Sequence, residues 1–193
     1  MDMVSKKIVF GVIVSNRGFF NAQLALDSRK EFLSVLDKFG YGYVVTPVDG
    51  NNSGIVGTRD DAKACAKVFR ECSEKIDGII VILPNFGDEV AVIEAIKGAD
   101  LGVPVLVQAS NDEIDKVDIK SRRDAFCGKI SLCNNLYQYD IPYTDTTSHT
   151  TDISGAEFRD DVIRFAGICR VVRGLRNMRV GLIGTRPTAF QTV

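Results

Sequence analysis

Three short polar stretches of the chain carry side chains suited to holding a ligand rich in hydroxyls or negative charge. They are Ser15-Asn-Arg-Gly18, Pro84-Asn-Phe-Gly-Asp-Glu89 and Gln108-Ala-Ser110, and each directly follows an apolar run. Arg17 offers five N–H donors in a fixed fork, which suits carboxylates, phosphates and paired hydroxyls. Phe86 could cover one face of a sugar ring. None of these stretches has the glycine fingerprint of a nucleotide-binding loop, so nucleotide binding has little support.

Ordinary structural roles are also open for these charged side chains. Arg17 could equally be solvated or paired with a neighbouring acid. Asp88 and Glu89 are adjacent in sequence, so they would not face each other across a substrate as a catalytic acid–base pair must. For both acids, stabilisation of the start of the next helix is the preferred interpretation.

Thiol and metal chemistry has little support in the sequence. The five cysteines are scattered and include no Cys-x-x-Cys pair, which argues against a disulfide framework and a self-contained zinc site. Cys127 lies close to Lys129, but His149 is the only histidine available as a base. We therefore prefer a packed helix to an activated nucleophile here. No catalytic residue and no metal ligand is expected in the chain.

The bulk composition disfavours several classes of function. The 193 residues include 25 acidic and 24 basic side chains, so nothing suggests a nucleic-acid surface or a membrane-binding helix. No run of about 18 apolar residues occurs, and the N-terminus lacks a signal-peptide pattern. The sequence predicts a cytoplasmic protein whose partners are neither nucleic acids nor membranes.

Strand-like and helix-like segments alternate and determine where the polar stretches lie. Apolar periodicity predicts strands at Lys7–Val14, Tyr41–Thr46, Asp77–Leu83, Val103–Gln108 and Arg179–Ile183, with Ile141–Ser148 extended. It predicts helices at Ala22–Phe39, Asp60–Lys75, Asp88–Gly98, Arg122–Gln138 and Ala156–Arg176. This order indicates an α/β fold with a doubly wound, mostly parallel, flavodoxin-like sheet. The three polar stretches should then share the carboxyl edge, where such sheets bind ligands.

The last predicted strand bears on domain organisation. Arg179–Ile183 either completes the same sheet or begins a second domain, because a strand leading into a glycine-containing loop normally opens a new βα unit. We favour the second interpretation. It gives a flavodoxin-like amino-terminal domain over residues 1–176 and the truncated start of a following α/β domain over residues 177–193.

The chain resembles the L-fucose isomerase / L-arabinose isomerase superfamily, and it is most similar to the fucose-isomerase-like members. The resemblance is carried by SNRGFF, DGIIVILPNFGDE, VPVLVQ, FCGKISLCNNLYQY, RFAGICRVVRGLRNMRVG and IGTRPTAF. It extends over essentially the whole chain but only over the amino-terminal third or so of a full family member. It implies the substrate-covering and oligomerisation domain of a metal-dependent aldose–ketose isomerase, which would be inactive by itself.

The resemblance also implies specific partners and site residues. Family members usually use Mn²⁺, held by two carboxylates and a histidine in later domains, so no cofactor is expected for this chain alone. They assemble as homo-oligomers, often hexamers, in which the amino-terminal domain of one subunit covers the sugar site of the next. Arg17 matches a sugar-contacting arginine after the first strand, and Phe86 matches an aromatic residue after the third, where fucose isomerase has tryptophan. Asn16, Asn85 and Gln108 are further substrate-binding candidates because of their place on the same edge.

Two alternatives remain open at this point. The chain could be a non-catalytic flavodoxin-like module that binds sugars or has a regulatory role, and such a module would bind sugar by itself. It could also come from a family member that acts on anionic or unusual sugars, for which Arg17 would supply the charge.

Overall fold

The computed structural model describes residues 6–50, 52–181, 183–184 and 188–189, which form a parallel sheet between two layers of helices. The strands are β1 (Val9–Val14), β2 (Gly42–Val45), β3 (Gly78–Leu83), β4 (Val105–Ala109) and β5 (Tyr143–Asp145). The helices are α1 (Ala22–Phe39), α2 (Arg59–Glu71), α3 (Glu89–Ala99), α4 (Ala125–Gln138) and α5 (Ala156–Arg176).

The sheet has the strand order β2-β1-β3-β4-β5, and every neighbouring pair is parallel. The chain first moves from β1 outward to β2 and then returns past β1 to β3, β4 and β5. The direction of winding therefore reverses between β1 and β3, which is where flavodoxin-like sheets bind ligands. The prediction of a doubly wound, flavodoxin-like α/β fold is confirmed.

Alternation of side chains along the strands divides the core into two layers. Ile80 and Ile82 of β3 face α1 and α5, whereas Ile79 and Val81 face α2, α3 and α4. All six residues of β3 are buried, which is the burial expected of an apolar strand covered on both faces. The polar side chains next to β3 therefore lie in the loops at its ends.

Two strand glycines let helices approach the sheet closely. A Cβ at Gly78 would lie 2.5 Å from the Sγ atom of Cys169, and one at Gly11 would lie 2.9 Å from the ring of Phe69. Cys169 and Phe69 are therefore packed against the strand backbone, and both are fully buried.

Several predicted element boundaries differ from those observed. The helix predicted from Arg122 begins at Ala125 instead, because Asp124 has a positive φ of 51°. The carboxylate of Asp112 then accepts hydrogen bonds from the backbone N–H groups of Ala125 (3.0 Å) and Phe126 (3.3 Å). By contrast, α1 ends as predicted at Gly40, which has a φ of 78° and caps the helix in the left-handed conformation.

Other predicted elements are shorter in the structure or lie partly outside it. The helix predicted over Asp60–Lys75 ends at Glu71, and the extended segment Ile141–Ser148 contains only the three-residue strand β5. In Arg179–Ile183, residues 179–181 and 183 are described and form no strand, and Leu182 lies outside the described residues. The division into domains at residue 176 stays a prediction.

No helix in the described ranges is both long and apolar enough to cross a bilayer.

Candidate functional site

The loops after β1, β2 and β3 are joined by the side chain of Ser15 at the carboxyl edge of the sheet. Its hydroxyl donates a hydrogen bond to the carbonyl oxygen of Val56 (2.9 Å) and accepts one from the backbone N–H of Asp88 (2.9 Å). Ser15 is fully buried. Because it follows β1 directly, this one side chain fixes the three loops relative to one another at the point where strand order reverses.

Two buried amides determine the shape of the loop after β3. Asn85 has no exposed surface, and its Nδ2 atom donates to the Oδ1 atom of Asn16 at 2.6 Å. Its Oδ1 atom accepts a hydrogen bond from the backbone N–H of Gly87 at 3.1 Å. Gly87 has a φ of 74°, a conformation that favours glycine. Asn16 and Asn85 thus lie beneath the loop surface and hold its backbone in place.

Arg17 lies across the outside of this loop. Its Nε atom donates to the carbonyl oxygen of Gly87 (3.1 Å), and its Nη2 atom donates to the Oε2 atom of Glu89 (2.6 Å). The Cζ atom lies 4.1 Å from the ring centroid of Phe86, which is a cation–π contact. In the described part of the chain, Nη1 has no hydrogen-bond acceptor. The arginine side chain is 31 % exposed, so this nitrogen remains able to donate to a ligand.

An aromatic row extends from Arg17 along the same edge and consists of Phe86, Phe20 and Phe19. Phe86 and Phe20 have ring centroids 6.4 Å apart, and Phe20 and Phe19 have centroids 4.5 Å apart. The Cζ atom of Arg122 lies 5.6 Å from the ring centroid of Phe20. Phe19 is well exposed. Arginine N–H groups can donate hydrogen bonds to the hydroxyls of a sugar. Partly exposed aromatic rings beside them can pack against its C–H faces.

Gln108 lies apart from this group. It is fully buried at the end of β4, and its Nε2 atom donates to the carbonyl oxygen of Thr151 at 2.8 Å. Its Oε1 atom and the Oγ1 atom of Thr151 are buried without a hydrogen-bond partner. Gln108 therefore connects β4 to the segment before α5 and does not face the aromatic row.

Of the five predicted site residues, the structure brings together Arg17, Asn16, Phe86 and Asn85. Only Arg17 and Phe86 among these four have appreciable exposure. A role in sugar binding stays a prediction for all five residues, including Gln108.

Sequence reasoning missed Glu89 and Phe20 as members of this site. A neighbouring acid was considered as a partner for Arg17, but Glu89 is 72 residues away and reaches it only because β1 and β3 are adjacent. Both loops were predicted to lie at the carboxyl edge of the sheet, so a comparison of charges across the two loops could have found the pair. Phe20 lies within the same loop as Arg17, and nothing in the sequence distinguished it as a member of the site.

Asp88 caps α3, as preferred from the sequence. Its Oδ1 atom accepts a hydrogen bond from the backbone N–H of Ala91 at 2.9 Å. We expect Asp88→Ala to lower the free energy of unfolding by about 1 kcal/mol, measured by urea denaturation. Asp88→Asn should lose much less, since asparagine also caps helices. Equal losses for the two variants would contradict the capping role.

The buried Lys129 on α4 holds the loop that follows β5. Its Nζ atom pairs with the carboxylate of Asp145 at 2.5 Å and donates to the Oγ1 atom of Thr146 (2.6 Å) and the carbonyl oxygen of His149 (2.9 Å). Its ammonium group is thus engaged in contacts that hold this loop. This geometry supports the packed-helix interpretation of α4.

Burial raises the pKa of the thiols of Cys65 and Cys133 to about 11 and that of Cys169 to about 12. The nearby charge of Asp77 adds to the effect on Cys169. A raised pKa keeps a thiol protonated near neutral pH, and a protonated thiol is a poor nucleophile. These three cysteines have the properties of inert, structural side chains.

Within the described ranges, no group of three or more His, Cys, Asp or Glu side chains is arranged to hold a metal ion. The donors described in this chain therefore do not fit a three-ligand metal site.

A cleft of about 440 Å³ lies at the opposite edge of the sheet. Ile79, Val105 and Tyr143, near the amino ends of β3, β4 and β5, contribute to its mainly apolar lining, together with Ile168 and Val172 of α5. It does not belong to the site formed by Arg17 and Phe86, which is at the carboxyl ends of the strands.

Comparison with known protein families identifies the domain. A family model described as the N-terminal domain of fucose/sulfoquinovose isomerase matches residues 11–176, from within β1 to the last residue of α5. The matched range includes the loops that carry Arg17 and Phe86 and confirms the resemblance inferred from the sequence. No curated protein matches the chain. The chain therefore belongs to the fucose/sulfoquinovose isomerase family, and residues 11–176 match that family's amino-terminal domain.

Proposed function

We propose that this chain is the substrate-covering and oligomerisation domain of a metal-dependent aldose–ketose isomerase that acts on sugars of the L-fucose or L-arabinose type. The observation that carries the proposal is the contact between Arg17 and Phe86 at the point where strand order reverses. Both side chains are partly exposed there. Membership of a sugar isomerase family supports the same function.

The exposed groups at this edge can bind and shield a sugar. The free Nη1 atom of Arg17 would donate hydrogen bonds to sugar hydroxyls, while Phe86 and the exposed Phe19 would cover the C–H face of the sugar and exclude water. The buried Asn16–Asn85 pair would keep the loop in the required shape, because it fixes the backbone on both sides of the contact.

The reacting groups are proposed to lie outside these residues. We propose Mn²⁺ as the metal of the intact enzyme, with its ligands on segments other than this chain. The edge described here would cover a sugar site on a neighbouring subunit of a cytoplasmic homo-oligomer, with six subunits as the family resemblance implies. An edge that offers donors and aromatic rings, but no acid–base pair, fits a covering role better than a complete active site.

The test is an isomerase assay of the intact gene product that contains this domain, with MnCl₂ and either L-fucose or L-arabinose. We expect ketose formation, and we expect Arg17→Met to lower kcat/KM by about 30-fold, since it removes charge-assisted hydrogen bonds to the substrate. Arg59→Met is the matched control, because Arg59 forms an exposed ion pair with Glu94 at 3.2 Å. Equal kcat/KM for the Arg17 variant and the wild type would contradict the covering role of Arg17.

A calorimetric titration of the 193-residue chain with pentoses and hexoses separates this proposal from the alternative of a self-sufficient binding module. A covering domain supplies only part of the site and should give no saturable heat. Saturable binding of a sugar by the isolated chain would favour the module instead.

A further inference from the structure

The carboxylate of Glu89 has no role in the function proposed above, yet it forms the shortest polar contact of Arg17. Its Oε2 atom lies 2.6 Å from the Nη2 atom of Arg17, and the two side chains are 21 % and 31 % exposed. The pair thus lies at the surface where a ligand would approach. Its charge would be part of the environment that the ligand meets.

Both members of the pair are held in position by other contacts. Glu89 is the first residue of α3, where the helix dipole favours a negative charge, and Asp88 caps the same helix end. Arg17 is fixed by the carbonyl oxygen of Gly87 and by the ring of Phe86. Because both partners are constrained independently, the carboxylate stays beside the guanidinium and the pair has almost no net charge.

The other arginines near this edge are also accompanied by carboxylates. Arg122 pairs with Asp124 at 3.2 Å, and Arg123 lies 4.0 Å from Glu113. Arg123 also donates to the carbonyl oxygen of Pro84 at 2.9 Å. Arg17 and Arg122 thus each have one carboxylate that compensates their charge. Arg123, by contrast, shares Glu113 with Lys116, whose Nζ atom lies 2.7 Å from that carboxylate.

This arrangement distinguishes between two classes of sugar. The free N–H groups of Arg17 can still donate to a neutral hydroxyl, which needs donors and no net charge. A sulfonate or phosphate group at the same nitrogen would also face the Glu89 carboxylate, which repels it. One like charge about 6 Å away lowers affinity by about tenfold at an effective dielectric of about 40, which lies between that of a protein surface and that of bulk water.

We propose that Glu89 is a specificity-determining residue that restricts the Arg17 position to uncharged sugar groups. The inference rests on the proposed function for its biological meaning, since it identifies the substrate class of that same site. The electrostatic effect itself does not depend on that function. Glu89 prevents Arg17 from acting as an anion-binding residue, and its removal converts Arg17 into one.

The experiment uses the ¹⁵N-labelled chain and follows the Nε–H resonance of Arg17 by NMR. Sodium sulfate and sodium methanesulfonate are the anion probes, and sodium chloride keeps the ionic strength constant. We expect Glu89→Gln to give a saturable shift, with a dissociation constant at least about tenfold lower than that of the wild type.

Two further variants test whether the gain in anion binding requires Arg17 and the removal of charge at Glu89 in particular. Glu94→Gln removes an equal charge from the same helix at a site where the carboxylate pairs with Arg59, and it should behave as the wild type does. The double variant Arg17→Met, Glu89→Gln should lose the gained binding, followed through the backbone amide of Gly87.

The inference is overturned if Glu89→Gln binds sulfate no better than the wild type, or if Glu94→Gln gains as much. These outcomes are separate from a failure of the proposed function, because they require neither sugar nor metal. If the intact protein forms no ketose while Glu89→Gln still gains anion binding, the proposed isomerase is rejected and the charge control by Glu89 stands.

Discussion

Replacing Gly128 by alanine is expected to lower the free energy of unfolding by about 3 kcal/mol or more. Gly128 lies on α4, where the helix meets the loop after β3. A Cβ atom at this position would lie 1.9 Å from the carbonyl oxygen of Phe86 and 2.6 Å from its Cα atom. These are backbone atoms, so the clash can be relieved only if the helix or the loop moves. Urea denaturation of the chain measures the loss.

Gly167→Ala on α5 is the matched control for this substitution. Both glycines are inside helices, but a Cβ at Gly167 would meet nothing within 4 Å. Alanine is favoured over glycine in a helix interior, so this variant should gain up to about 1 kcal/mol. If the two variants shifted stability equally, the close approach of α4 to the Phe86 carbonyl group would be disproved.

Alkaline pH is expected to destabilise the fold through its two fully buried thiols. Burial raises the pKa of Cys65 to about 11 and that of Cys169 to about 12, from an ordinary value of 9.0. Below pH 9 both thiols are protonated in the folded and unfolded states, so they contribute no pH dependence. Above pH 9 the unfolded chain releases these protons first. Stability is therefore lost as the pH rises from about 9 through the raised pKa values.

The size of this effect follows from proton linkage. Each such thiol lowers the free energy of unfolding by about 1.4 kcal/mol per pH unit between pH 9 and its raised pKa. Urea denaturation at pH 8, 9, 10 and 11 measures the slope. Cys65→Ala and Cys169→Ala should each reduce it, because alanine has no proton to release. A small cavity would lower stability by a similar amount at every pH and would leave the slope unaffected. Identical slopes in the wild type and both variants would contradict the prediction.

Elements determined by local sequence were predictable. The apolar run of β3 and the helix stop at Gly40 both appear where the sequence placed them. The right-handed crossovers implied by strand–helix alternation then indicated which loops share an edge. For that reason the sequence alone predicted that Arg17 and Phe86 lie at the same edge of the sheet.

Features that depend on two distant segments were not predictable in the same way. The start of α4 depends on the positive φ of Asp124 and on the carboxylate of Asp112, twelve residues earlier. The burial of Asn85 depends on Asn16, which belongs to another loop. Composition and periodicity contain no information about hydrogen bonds between distant segments, because each partner alone resembles an ordinary loop residue.

The position of Gln108 was predicted only in part. It lies at the predicted edge, but strand alternation places it on the same side of the sheet as Leu106, which packs in the layer of α1 and α5. Its amide accordingly reaches Thr151 in the segment before α5. Because alternate side chains of a strand face opposite sides of the sheet, the sequence of β4 alone could have indicated that Gln108 does not lie beside Arg17.

The hydroxyl of Ser15, which joins the loops after β1, β2 and β3, has a consequence for motion. Because the three loops share one buried hydrogen-bonding side chain, they are expected to move together as one unit and not independently. In the proposed isomerase, a substrate could then reach or leave its site only when the whole sheet is displaced from the neighbouring subunit. Turnover would be coupled to the separation of subunits and not to the fluctuation of a single flap.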